Sequence, residues 1–140
     1  MIIQENINSA PAGKPSPTAQ TRETGFPSPA ADHRECRLDL HEHLVKNKSA
    51  TFFCRIRGRE EEPLGFYDGD LLIVDRSLAF KHHSYVVVAL EDEFRVCRLW
   101  NRKRCWSLQT AENKFIALNR GEYSRNMFWG VVSHVIHSCI

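Results

Sequence analysis

The chain has 140 residues, enough for one domain with little room for a second. Hydrophobic residues make up 42%, charged residues 26%, and the formal net charge is +2, which excludes a protein that coats polyanions through bulk charge but not a local basic patch. No apolar run approaches the roughly 20 residues that span a bilayer, and the start, Met1 to Asn6, lacks the basic and apolar stretches of a secretory signal. A cytoplasmic protein without membrane contact is expected.

The composition divides the chain into an arm, 1–32, and a domain, 33–140. Residues 1–31 hold five of the six prolines and few strong hydrophobes, chiefly Ile2, Ile3, Ile7 and Phe26. Proline lacks the amide donor and fixes φ, so this stretch forms neither a helix nor a central strand. Its apolar surface is too small to offset its ordering entropy. The arm is expected to be flexible, or to lie along another surface as an extended strand.

In residues 38–46, Leu40, Leu44 and Val45 share a helical face and Asp39 can cap, which predicts a short helix of two turns. The rest reads as strands. Residues 49–57 are β-branched and aromatic, and 70–75 is an apolar run after the turn signal Asp68-Gly69. Residues 84–91 and 93–100 flank Asp92 as a tight hairpin would. Residues 105–109 form a short strand, and 127–137 is the longest β-like run. One weak helix among short strands predicts a mainly β domain, closed or strongly bent.

Five cysteines, Cys36, Cys54, Cys97, Cys105 and Cys139, include no C-x-x-C pair. They read as reduced thiols and small buried hydrophobes. His82, His83, Cys97 and Cys105 match no zinc-ligand spacing, so neither a metal nor another cofactor is expected. Arg95, Arg98, Arg102, Lys103 and Arg104 are interleaved with Trp100 and Trp106, a composition that can bind single-stranded nucleic acid. Arg98 and Trp100 share a strand face that must also pack, and 102–104 reads as a hairpin turn. A solvated turn is therefore preferred, and direct nucleic-acid binding is not expected.

Four motifs stand in order: Gly25-Phe26-Pro27-Ser28-Pro29-Ala30, the run Asp68 to Asp75, Glu93-Phe94-Arg95-Val96 leading to Leu99, and Gly130 to Ile136. From about Gly25 onward the chain resembles the UmuD/MucA/ImpA group of SOS mutagenesis proteins, relatives of the self-cleaving domain of the LexA repressor. The resemblance implies a mainly β peptidase domain of bent sheets with one short helix and a flexible N-terminal arm. It implies a homodimer, induced by DNA damage, whose arm is cut when RecA–single-stranded-DNA filaments stimulate it. The shortened dimer then serves a Y-family polymerase in translesion synthesis. The scissile bond of the family corresponds to Thr24-Gly25, with Phe26 and Pro27 as the arm's docking residues.

The family resembled cleaves with a serine nucleophile and a lysine general base, the lysine kept neutral by desolvation. Counted from Asp68-Gly69-Asp70, the serine position is Glu60. Counted from Glu93-Phe94-Arg95-Val96, the lysine position is Cys97. The methionine after the serine is Glu61, and a loop glycine is His83. No catalytic residue of the dyad is intact.

A carboxylate beside a thiol disfavours the thiolate, and no motif places a histidine to activate Cys97. Glu60, Glu61 and Glu62 read as a solvated charge run. The expected protein is a non-cleaving pseudo-peptidase. It would act by dimerising with itself or with a UmuD-type chain, and by contacting a Y-family polymerase subunit and RecA filaments. Two alternatives stay open: self-cleavage through Cys97 and Glu60, and a decaying copy without function.

Overall fold

The computed structural model describes residues 2–5, 37–118 and 127–140. The arm positions Thr24, Gly25, Phe26 and Pro27 lie outside the described residues. Strand β1 is Ile2–Glu5, β2 Thr51–Ile56, β3 Leu71–Asp75, β4 Tyr85–Leu90 and β5 Glu93–Arg102. Strand β6 is Cys105–Gln109, β7 Phe115–Ala117 and β8 Phe128–Ile136, with helix α1 at Leu40–Leu44 and a 3₁₀ turn at Glu62–Leu64. The strands form one antiparallel sheet in the order β1-β2-β3-β8-β4-β5-β6-β7.

The mainly β class holds, and two strands add to the expected set. Ile2–Glu5, assigned to the arm, take the extended form. They pair with β2, Ile2 opposite Ile56 and Glu5 opposite Phe53. Strand β7 follows a turn in which Asn113 has φ +62°. The expected helix is shorter than two turns. Asp39 caps it by accepting from the Glu42 amide at 3.2 Å, but Val45 leaves helical geometry at φ −100°, ψ 92° and is buried instead.

Period-two alternation divides the apolar side chains between the faces of the sheet. Ile2, Cys54, Ile56, Leu72, Val74, Val87 and Val96 form one core with Phe66. Val86, Val88, Cys97, Leu99, Leu108 and Val131 form another, and Phe53, Ile73 and Val45 a small third one. Strand β8, between β3 and β4, carries two irregularities. Its register shifts against Ile73/Val74 and against Val87/Val88, and such bulges increase local twist.

The expected hairpin is present, with Glu91 and Asp92 as its two-residue turn at φ +50° and +67°. Lys103 and Arg104, at φ +49° and +64°, make the second such turn, between β5 and β6. Positive φ at both positions matches the right-handed twist of the flanking strands.

Candidate functional site

The loop after β2 holds Glu60, the position at which the family resemblance expects the nucleophile. Gly58 opens it at φ +90°, and its amide donates to Asp68 Oδ1 at 2.8 Å. A Cβ there would collide with Glu60 Oε2, so the Glu60 carboxylate folds back over its own loop. Glu60 is exposed, and its own backbone amide holds its carboxyl below the usual range. Arg59 grips Glu62 with two hydrogen bonds, 2.7 and 3.2 Å.

Glu61 departs from the solvated reading of the charge run. It is completely buried, and its Oε1 accepts from Arg95 Nε at 3.0 Å. Arg95 Nη2 also donates to Glu112 Oε1 at 2.9 Å. The Arg95 hydrogen bond, first, and a backbone hydrogen bond bring the Glu112 carboxyl down to about 2. Leu90, Glu93, Arg95, Glu112, Lys114 and Ile116 line an open cleft of about 470 Å³ here. A guanidinium between two carboxylates thus stands beside the Cys97 position. The sequence grouped Arg95 with the basic cluster of β5 and did not reveal Glu112, which is brought over by the β6–β7 turn.

Cys97 lies two residues along β5 from Arg95, on the same face but inside the core, with zero exposure. Burial pushes its thiol up to about 12, with Arg95 opposing and Glu112 and Glu61 adding to the rise. At neutral pH such a sulfur stays protonated and is a poor nucleophile. Cys97, Cys105, His82 and His83 do not converge either. Cys97 faces the core, while Cys105 lies on the other face of the β5–β6 ladder, and no cluster of three or more metal-ligating side chains occurs among the described residues.

His83, at the loop-glycine position, has φ +70°, a region that L residues enter at a steric cost. Glycine adopts such a φ without that cost. The His83 amide donates to the Leu99 carbonyl at 2.7 Å.

The peptidase S24-like family matches residues 17–132. The chain is 39% identical over 110 residues to Protein MucA of Salmonella typhimurium, covering 79% of this chain and 75% of MucA. It is 38% identical over 116 residues to Protein ImpA of Salmonella typhimurium, covering 82% of this chain and 78% of ImpA. It is 36% identical over 75 residues to the LexA repressor of Pectobacterium carotovorum subsp. carotovorum, covering 54% of this chain and 37% of the repressor. The chain belongs to the peptidase S24-like family. Within it, the chain falls in the UmuD/MucA/ImpA group of SOS mutagenesis proteins. Among the described residues no helix is long and apolar enough to cross a membrane.

Proposed function

We propose that this chain is a non-cleaving, UmuD-like accessory factor of error-prone translesion synthesis. It keeps the family scaffold without the peptidase chemistry, and it works by dimerising, with itself or with a UmuD-type chain, and by binding a Y-family polymerase subunit and RecA filaments. One observation carries the loss of cleavage. The position of the general base is Cys97, a fully buried thiol with its pKa near 12, and the position of the nucleophile is the carboxylate of Glu60. A carboxylate has no proton to yield at neutral pH, and it repels the oxyanion that amide attack creates. In this reading the protein stays in the cytoplasm with residues 1–24 attached.

The test is incubation of the purified full-length chain with RecA–single-stranded-DNA filaments, and separately at alkaline pH. No fragment beginning at Gly25 is expected, and its appearance from the chain alone would overturn the proposal. Glu60→Ser with Cys97→Lys and Glu61→Met restores the family residues, and some cleavage at Thr24-Gly25 should return. Pull-down of the full chain from DNA-damaged cells, compared with an intact UmuD-type protein, tests the partners.

A further inference from the structure

Side-chain alternation on the last three strands builds a surface that peptidase chemistry does not use. Leu99, Leu108 and Ile116 point to the core. The opposite face carries Arg98, Trp100 and Arg102 on β5. By register it continues through Gln109, Ser107 and Cys105 on β6 to Phe115 and Ala117 on β7. As expected, Arg98 and Trp100 pack, half-buried, Arg98 against Trp100 and Tyr85. The same face is exposed at Arg102, Cys105 and Phe115, the last to 54%.

The aromatic groups are held in place. Trp100 Nε1 donates to Gln109 Oε1 at 2.6 Å, and Gln109 Nε2 donates to Asn113 Oδ1 at 2.8 Å. The guanidinium of Arg102 lies 4.8 Å from the Trp100 ring centroid and that of Arg98 5.4 Å. Arg98 also lies 5.5 Å from the Tyr85 ring, and its Nε is buried without a hydrogen-bond partner. His83 and Phe115 meet the indole edge-on at 4.5 and 6.0 Å.

Among the described residues the charge of this face is positive. None of the ion pairs among the described residues involves Arg98, Arg102, Lys103 or Arg104. His83 is held below its ordinary pKa by lost hydration and then by His82, Arg98 and Arg102.

We infer that the open face of β5, β6 and β7 binds single-stranded nucleic acid. The exposed rings of Phe115 and His83 stack on bases, and the exposed Arg102, Lys103 and Arg104 meet the phosphates, while Arg98 and Trp100 pack beneath them. Basic side chains alone would suit an acidic peptide equally well. Exposed rings fixed among them favour a ligand that carries π faces at regular intervals along a polyanion.

The experiment is fluorescence polarisation of labelled oligo(dT), about 16 nucleotides long, titrated with the full-length chain at low and moderate salt. Saturable binding is expected, weakening as salt rises because bound phosphates release counterions. Phe115→Ala should weaken it about fivefold or more without changing the salt dependence. Arg102→Glu should weaken it and flatten that dependence. Lys46→Glu, an exposed charge change outside this face, should leave it unchanged. Both face variants replace exposed side chains, and circular dichroism confirms that each is folded. Absence of saturable binding at low salt would overturn the inference. So would equal weakening by Lys46→Glu, which means bulk charge. Displacement by polyglutamate together with full binding by Phe115→Ala would reassign the face to acidic peptides.

Discussion

Arg95 and Cys97 lie on one face of β5, two residues apart, and burial treats them differently. Cys97 is sealed in the core and its thiol is raised to about 12, as is Cys54. In native protein at about pH 8, Cys54 and Cys97 should resist iodoacetamide while the exposed Cys105 and Cys139 label readily, as peptide mapping by mass spectrometry will show. Cys97 labelling as fast as Cys105 would contradict the buried assignment. Arg95 instead faces the fully buried Glu61 carboxylate at 3.0 Å. Removing one hydrogen-bond partner from a buried polar group costs roughly 1–3 kcal/mol. Arg95→Ala should lower stability in denaturant titration by that amount, and adding Glu61→Met should recover most of it. Glu112 gives the pH dependence. Its folded pKa, about 2, lies below the unfolded value of roughly 4.3, so the folded state binds fewer protons in between. Its contribution is complete above the unfolded value and is lost as pH falls towards the folded one. Glu112 is half exposed, so solvent screening keeps the effect within about 1 kcal/mol. Glu112→Gln should remove that part of the acid destabilisation, measured as the melting temperature against pH.

Strand β8 explains a pattern that the sequence presented without its cause. Residues 127–137 are apolar on both faces over much of their length. In the fold, Trp129 and Val132 pack on one core while Phe128 and Val131 pack on the other. A strand placed centrally between β3 and β4 needs two apolar faces, and exposed apolar side chains remain only towards its end, at Val135 and Ile136. Gly130 shows how tight the centre is. An added Cβ would stand 2.7 Å from Val74 Cγ1 and 3.3 Å from the Asp75 carbonyl carbon. Gly130→Ala should cost about 1–3 kcal/mol by overpacking, seen as a lower denaturation midpoint with an unchanged slope. The β4–β5 hairpin was legible because strand alternation and a short polar turn are local signals. The end of α1 was not, because Val45 is drawn into the third core by Phe53 and Ile73, a tertiary preference. The burial of Glu61 was hidden for the same reason, since its partner Arg95 lies 34 residues away.

At the scale of the molecule, the sheet begins with four residues that composition assigned to the arm. Ile2 is 6% exposed within the first core. Arg55 binds Glu5 through two hydrogen bonds, 2.5 and 3.1 Å, and reaches the Gly69 carbonyl at 2.9 Å. Deleting residues 1–5 removes the burial of one isoleucine, about 1.5–3 kcal/mol, and an ion pair of under about 1 kcal/mol. It also opens the edge of β2 to other chains. The truncated protein should melt earlier and self-associate in sedimentation, whereas an unchanged melting temperature would mean that β1 adds nothing.

The pairing of β1 with β2 also changes what a cut between Thr24 and Gly25 would mean. While residues 6–36 join β1 to the domain, strand and edge meet at an effective concentration on the order of millimolar. After a break they become two molecules, and the strand is lost by dilution. One peptide hydrolysis would then release a 24-residue peptide and uncover a sheet edge beside Cys54 and Ile56. A chain unable to perform that hydrolysis keeps its own edge capped until some other protease, or a cleaving partner subunit, acts on it.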